Sequence, residues 1–595
     1  MLRGLFRTKN LDDILAAAGG PQFSLKRTLG AFNITLLGIG AIIGAGIFAT
    51  VGTAAAGDAA RPGAGPSLML SFVITAVVCG FTALCYAEFA SMVPISGSAY
   101  TYSYSTLGEL VAWIIGWDLI IEYAVGNIAV AISWANYFRT LMGNLGVDIP
   151  AWLSTDYRTA AKLAANNPTL YTQDFGSAPH IFGHTVIFNL LAFLIVALIT
   201  VVLVWGIRES AGFNAGMVLI KIVVLLFFIG IALYYVTPSR MVENWQPFQP
   251  NGWRGTFTGA ALVFFAYIGF DAVSTVAEEC KNPSRDLPIG IIASLVVCTI
   301  LYVVVGAVFT GIIPYHELVQ KLANEQAEPL TMALDHAAPK GVTWPSTLVA
   351  FGSVIAHTAV LLVFQLGQPR IFFSMARDGL LPSVFASVHP RFKTPHVTTI
   401  LTGVFVGGIA AFASIDEMVD LTNIGTLFAF ILVCVGIPIL RVKDPGRKRP
   451  FRVPLGAFFL PLLGAVSCIF LMIYLPPASW WRFFGWLVLG FAIYLSYGYT
   501  RSSVGRKIGR PARTPAPLKI AALGFLLVAV GLFTIPHDLG PFAMAHTAVD
   551  ATADRHDRAI YGLIMIALGL LTGVVGTVLG GAARGDADRG DSAAR

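Results

Sequence analysis

Long apolar runs recur along this chain and constrain its fold more than any other feature. Runs of roughly 20 residues can each cross a hydrocarbon core about 30 Å thick. We identify about fourteen such runs, near 30–55, 67–90, 109–142, 184–207, 213–236, 256–279, 289–313, 347–372, 396–414, 420–440, 455–475, 481–499, 518–536 and 559–580. They are continuous and do not alternate between polar and apolar residues, which predicts helices and not a barrel. We therefore expect an all-α polytopic membrane protein embedded in a lipid bilayer.

The charged residues are few and are placed by topology. They make up 12% of the chain, against about 25% in soluble domains. The net charge of +7 arises from basic loops such as 441–452 and 501–519, whereas loops on the opposite side are poor in Lys and Arg. This positive-inside asymmetry, with an even helix count, predicts that both termini lie in the cytoplasm. We expect the protein to lie in the cytoplasmic (inner) membrane. The asymmetry accounts for the basic residues, so we expect no nucleic-acid partner.

The polar ends and the cysteines add little chemistry. Residues 1–28 form a basic cytoplasmic segment without a cleavable signal peptide, with a short amphipathic helix expected at 11–18, and 581–595 form a polar cytoplasmic tail. The six cysteines lie in or at the ends of apolar runs and lack metal-site spacing. No HExxH, P-loop or GxSxG motif is present. We expect neither an enzyme nor a metal or other cofactor.

Lys221 lies in the middle of an apolar run, Phe213–Val236. An ammonium at that depth costs several kcal/mol at least, so intramembrane charges are functional candidates. The group must face a polar interior, bind carbonyl or hydroxyl partners, or lose its proton. The alternative is a lysine that only snorkels or satisfies a buried carbonyl.

Two of the runs carry glycine at mid-depth, which predicts broken helices. The first run contains Gly38, Gly40, Gly44 and Gly46, and the sixth contains Gly269 two residues before Asp271. Interrupted segments at corresponding positions of two halves indicate a transporter binding site. Five helices separate the two starts, so the halves have opposite orientations. We predict an inverted five-plus-five repeat forming a transporter core over 29–441, followed by helices 11–14 over 442–580.

A break of this kind suits a zwitterion. The bare amides of a helix N-terminus hold a carboxylate, and the freed carbonyls hold an ammonium. An α-amino acid carries both groups. The alternative is that the glycines only allow close helix packing, because Gly40 and Gly44 have small-xxx-small spacing.

Several blocks of the chain carry a family resemblance, at 25–49, 85–109, 116–126, 208–222, 264–292 and 368–382. Together they resemble the cationic amino acid transporter family of the amino acid–polyamine–organocation superfamily. The resemblance implies an inverted-repeat fold and L-amino acid transport. It places the substrate carboxylate at the amides of Gly44, Ala45, Gly46 and Ile47. It places the α-amino group at the carbonyls of Phe265, Ala266 and Ile268, with Phe270 as an aromatic gate. Ala45 stands where relatives often have Thr or Ser, so a hydroxyl is missing there.

The resemblance also assigns a coupling role to Lys221, where proton-coupled relatives carry a lysine in the fifth helix. Its ammonium then replaces the cation of sodium-coupled relatives. We predict amino acid/proton symport. An exchanger without net proton coupling is the first alternative, and a polyamine transporter is the second.

Other polar residues at depth have two interpretations each. Asp118 and Glu122 share a helix face, and Glu122 is either a second proton carrier, a contact for a basic substrate side chain, or a neutral hydrogen-bonded carboxyl. His357 either titrates or is satisfied in the core. Glu88 and Asp271 match acidic positions of the family, and we expect Glu88 to brace the cytoplasmic gate. The sequence leaves open the preference for basic or neutral amino acids and the oligomeric state.

Overall fold

The computed structural model describes residues 7–9, 28–58, 61–92, 98–181, 184–206, 211–324, 328–507, 515–534 and 563–572. Within these ranges, strands are limited to two short hairpins: Gly57–Asp58 (β1) pairs with Arg61–Pro62 (β2), and His180–Ile181 (β3) with His184–Thr185 (β4), both antiparallel. The all-α prediction is confirmed. The amphipathic helix expected at 11–18 and the tail 581–595 lie outside the described residues.

Fourteen apolar helices are labelled in chain order. They are α1 (Ala31–Ile42 and Gly46–Ala56), α2 (Leu68–Met92), α3 (Glu109–Asn144), α4 (Leu190–Trp205), α5 (Ala211–Tyr235), α6 (Gly252–Val263), α7 (Pro283–Ile312), α8 (Trp344–Arg377), α9 (His396–Ala410), α10 (Ile415–Lys443), α11 (Phe459–Ile473), α12 (Pro477–Arg501), α13 (Ala516–Thr534) and α14 (Leu563–Thr572). Among the described residues, nine spans are long and apolar enough to cross a membrane, with α6 counted together with its continuation as Gly252–Ser274, and the broken α1 is a tenth candidate. The helices α4, α9, α11 and α14 are shorter. A multi-pass membrane protein follows from this set.

Short helices connect the long ones outside the apolar region. They are Ser98–Thr106, Tyr157–Asn166, Pro168–Phe175, Pro238–Asn244, Tyr315–Asn324, Pro329–Ala337 and Ser503–Lys507, with 3-10 turns at Ala151–Leu153 and Ser383–Ala386. The connection between α3 and α4 has its own small apolar cluster around Ala160 and Phe175. These segments cap the bundle at its ends.

The helices of the predicted core pack as a continuous bundle. The helix α7 runs along α2 and α1, α8 runs along α3, and α5 lies between α1 and α8. Large apolar side chains point outward from several helices, for example Leu198 on α4 (60% exposed) and Ile300 on α7 (62% exposed). An apolar exterior is the arrangement expected of a protein surrounded by lipid.

The helix α12 braces the start of α3. The rings of Trp117 and Trp486 stack with centroids 4.5 Å apart, and each indole N–H donates to the other residue's carbonyl. Lower on α3, the buried Glu109 carboxylate accepts hydrogen bonds from the Tyr494 and Ser502 hydroxyls, both at 2.7 Å. A helix beyond the predicted repeat therefore holds a core helix in position, a role that the sequence did not indicate.

Candidate functional site

The first break opens α1 at mid-length. Ile43 leaves the helical conformation with ψ 105°. The second half begins where the amides of Ile47 and Phe48 donate to the Gly44 carbonyl at 3.2 and 3.3 Å. The amides of Gly44, Ala45 and Gly46 precede that turn, and no backbone carbonyl among the described residues accepts from them. They form a helix N-terminus with free donors inside the protein.

Side chains from two other helices satisfy the carbonyls that the break leaves without partners. In a continuous helix, Gly40 and Ile42 would accept from the amides of Gly44 and Gly46, four residues later. Instead, the Lys221 Nζ donates to the Gly40 carbonyl at 2.6 Å, and the Tyr302 hydroxyl donates to the Ile42 carbonyl at 3.0 Å. This replacement keeps two amides available for another ligand.

The second break interrupts the helix that begins at Gly252. The helix α6 ends in a 3-10 turn, Phe264–Tyr267, and Ile268 turns away with ψ 136°. Gly269 follows with φ 118°, a conformation that favours glycine. The amide of Ile268 reaches the Phe265 carbonyl only at 3.4 Å. This carbonyl can therefore accept a shorter hydrogen bond from a ligand.

The two breaks lie against each other. A Cβ atom on Gly46 would stand 2.2 Å from the Cα of Ala266, and one on Gly269 would stand 2.8 Å from the carbonyl carbon of Ala41. The two sets of residues expected to bind the substrate carboxylate and the amino group are thus adjacent, although they are more than 200 positions apart in the sequence. All of them are buried.

Apolar and aromatic side chains surround the breaks. Val360 of α8 lies beside Gly44, where a Cβ atom would be 2.8 Å from its Cγ2. The Phe270 ring packs edge to face on Tyr86 of α2 (5.9 Å between centroids) and against Phe430 of α10 (5.2 Å). The predicted gate residue is therefore held by two helices outside its own.

Lys221 is completely buried and faces the first break. Among the described residues its ammonium has one hydrogen-bond partner, the Gly40 carbonyl, and no carboxylate within salt-bridge distance. It does not snorkel to a helix end. The lysine links α5 directly to the backbone that carries the free amides.

A set of buried carboxyl groups lies beyond Phe270. Glu122 lies in a π-helical turn of α3, Ile121–Val125, and its side chain is buried, as is that of Asp271. Neither oxygen of Asp271 or of Asp118 has a hydrogen-bond donor among the described residues.

Two of the predicted polar residues have partners away from the breaks. His357 interacts through both ring nitrogens, with Ser133 Oγ at 2.7 Å and with the Ser353 carbonyl at 2.6 Å. Glu88 accepts from Arg441 Nε at 2.9 Å and from the Val453 amide at 2.7 Å. Both side chains therefore have hydrogen-bond partners in the structure.

Three residues at the breaks were missed by sequence reasoning. Tyr302 supports the first break as described, Tyr137 donates to the Phe48 carbonyl at 2.5 Å, and Asn423 donates to the Ala261 carbonyl at 2.9 Å. Each is a polar side chain in an apolar run, which was an available signal. The sequence does not indicate which carbonyl each one meets.

Ion pairs link separate segments of the chain away from the breaks. At one end, Arg61 of β2 bonds Asp420 Oδ1 at 2.6 Å and Asp58 Oδ2 at 2.9 Å. Burial alone would lower the pKa of Arg61, but the neighbouring carboxylates of Asp420, Asp58 and Asp416 outweigh it and raise the pKa. At the other end, Lys9 bonds Asp378 at 2.8 Å.

The fold and the paired breaks define a polytopic membrane transporter. Comparison with known proteins agrees: residues 29–496 match the amino acid permease family. The chain belongs to the amino acid permease family, and it is a transporter and not an enzyme.

Named relatives lie in the same class. A branched-chain amino acid permease of Bacillus subtilis, BcaP, is 45% identical over 506 residues, covering 85% of this chain and 100% of the relative. A methylthioribose transporter of the same organism is 41% identical, with 85% and 100% covered. The vacuolar cationic amino acid transporter 4 of Arabidopsis thaliana is 34% identical, with 75% and 68% covered.

Proposed function

We propose that this protein carries neutral L-amino acids across the cytoplasmic membrane by proton symport, with alternating access to the paired breaks. The observation that carries the proposal is the exchange of partners at the first break. Lys221 and Tyr302 take the carbonyls that would otherwise hold the amides of Gly44 and Gly46. The free amides suit a carboxylate, and the adjacent carbonyls of the second break suit an ammonium.

The architecture that we propose has fourteen spans with both termini in the cytoplasm. The short helices α4, α9, α11 and α14 complete this number, and the inverted repeat covers α1 to α10. The breaks in α1 and α6 lie five helices apart and meet at Gly46 and Ala266, which supports a pseudo-twofold relation. Rocking of one group of helices against the other would open the site to each side in turn.

Apolar walls favour a neutral substrate side chain. Val360 stands beside the free amides, and Phe364 stands beside Gly126 on the facing side of α3. The relative that is 45% identical is a branched-chain amino acid permease, and such side chains would gain free energy by burial against these residues. Basic amino acids are the second candidate, because the carboxyl groups of Glu122 and Asp271 lie beyond Phe270.

Proton coupling is assigned to Lys221, with Glu122 as a second carrier. Lys221 is a buried amine with a single carbonyl partner among the described residues, and a charge at this depth in a membrane costs several kcal/mol unless it is paired. Its one hydrogen bond ends on the backbone of the substrate site. Gain or loss of the proton would therefore act directly on the break.

The deciding experiment uses the purified full-length protein in liposomes. We expect L-leucine accumulation under an inward proton gradient, unchanged when K⁺ replaces Na⁺. Lys221→Ala should lose accumulation and keep exchange of internal for external leucine, which proves that the variant is folded. A sodium requirement in the wild type, or full accumulation by Lys221→Ala under a pH gradient alone, would refute proton coupling by Lys221.

Competition distinguishes the other candidates. Excess L-isoleucine should block leucine uptake, whereas leucine methyl ester, cadaverine and methylthioribose should not, because each lacks the free carboxylate. Strong competition by cadaverine would favour a polyamine transporter, and strong competition by methylthioribose would favour a thiosugar transporter. Gradient-independent exchange without net accumulation by the wild type would favour an exchanger.

A further inference from the structure

A groove on the outer surface of the bundle is separate from the substrate site. It has a volume of about 710 Å³ and runs along the outward face of α7 from Ser284 to Val297, closed on one side by Pro450 and Phe451. We call it the α7 groove. We propose that it binds one anionic phospholipid of the cytoplasmic leaflet, with an acyl chain along α7 and the phosphate at Arg285.

The lining of the groove separates an apolar floor from a basic mouth. The floor includes Ile289, Val296 and Val297, which are 40 to 52% exposed although they lie in an apolar helix. Arg285 lies at the mouth, and among the described residues it forms no ion pair, while no acidic side chain lines the groove. Basic pockets beside membrane helices attract anionic headgroups.

The length of the groove fits a lipid chain better than a partner helix. From Arg285 to Val297 there are twelve steps along the helix, about 18 Å at 1.5 Å per residue. Half of a hydrocarbon core of about 30 Å is close to that length. A spanning partner helix would need the whole thickness, whereas one acyl chain needs a single leaflet.

The second wall of the groove is fixed to the core. The Phe451 amide donates to Ser91 Oγ at 3.3 Å, and the Val453 amide donates to Glu88 at 2.7 Å, so this loop is attached to the end of α2. The groove therefore lies between α7 and a loop anchored on α2. A bound lipid would stabilise this arrangement. The assignment to the cytoplasmic leaflet rests on the proposed orientation, with both termini in the cytoplasm. The existence of the groove does not depend on that orientation.

The test compares thermal unfolding of the full chain in detergent with added phosphatidylglycerol or phosphatidylcholine of identical acyl chains. We expect a larger upward shift of the midpoint with phosphatidylglycerol. Arg285→Ala should lose at least half of the difference in midpoint shift between phosphatidylglycerol and phosphatidylcholine. Ala293→Trp, which fills the groove, should lose as much. Two matched controls should keep the difference between the two lipids. They are Arg391→Ala, which removes an exposed basic residue in the connection between α8 and α9, and Ile300→Trp, on α7 outside the groove.

Each other outcome overturns the proposal. Equal shifts with the two lipids exclude preference for an anionic headgroup. Equal losses in Arg285→Ala and Arg391→Ala would indicate a diffuse surface potential. Protection by glycerol 3-phosphate alone would indicate a phosphate site without a role for the acyl chain. Leucine uptake is measured separately, so failure of the lipid site and failure of the transport proposal are distinguishable.

Discussion

The contact between Gly46 and Ala266 makes the sharpest prediction about the site. A methyl group on Gly46 would place its Cβ 2.2 Å from the Ala266 Cα, which is backbone and cannot rotate away. Reaching 3.4 Å, the short end of ordinary contact, requires the two breaks to separate by about 1.2 Å. A misplacement of about 1 Å can cost a hundredfold in activity, and overpacking costs about 1–3 kcal/mol in stability.

We therefore expect Gly46→Ala to lower leucine uptake about 100-fold, and Gly46→Leu to abolish it, at normal membrane insertion. Gly44→Ala should be milder, because its Cβ would meet the Val360 side chain, which can shift. Gly230→Ala in α5 is the control, because no atom lies within 4 Å of its added methyl group.

Initial rates in proteoliposomes, normalised to the reconstituted protein, measure these effects. Uptake by Gly46→Ala within a factor of about two of the wild type would refute the close contact of the breaks. Equal losses in Gly46→Ala and Gly230→Ala would attribute the effect to helix insertion and not to the site.

Three further substitutions test the surroundings of the site. Tyr302→Phe leaves the buried Ile42 carbonyl without its donor, so the unfolding free energy should fall by about 1–3 kcal/mol, whereas Tyr234→Phe, 81% exposed, should leave it unchanged; equal midpoints in thermal unfolding would contradict this. Glu88→Gln should lower the yield of folded protein but not the KM for leucine, because Glu88 binds Arg441 and lies away from the breaks; a raised KM would place it at the substrate. Burial raises the pKa of Asp156 to about 6. The folded protein therefore binds the proton of this carboxyl group more tightly than the unfolded chain does. The stability that this protonation contributes is lost as pH rises through 6. Asp156→Asn keeps the helix cap and should make amide exchange protection in Tyr157–Asn166 insensitive between pH 5 and 7, whereas a pH dependence unchanged from the wild type would refute the assignment.

Local features of the sequence predicted much of the fold. A continuous apolar run must form its hydrogen bonds internally in a membrane, so the helices follow from composition along the chain. The glycines predicted where the breaks lie. Two glycines close together, such as Gly44 and Gly46, weaken a helix whatever packs against it. The depth of Lys221 in its run also required no knowledge of its neighbours.

Only the tertiary structure decided which groups meet. The partner of Lys221 is the Gly40 carbonyl, 181 positions away, and Tyr302 reaches Ile42 across 260 positions. Equally, the Ser133 hydroxyl that satisfies His357 is 224 positions distant. The hydrophobic periodicity and composition of a helix specify which of its faces is buried. Only tertiary packing specifies which other helix that buried face contacts. Beside the free amides of Gly44 and Gly46, side chains from α5 and α7 donate to the carbonyls of Gly40 and Ile42. No single segment of the sequence contains this packing.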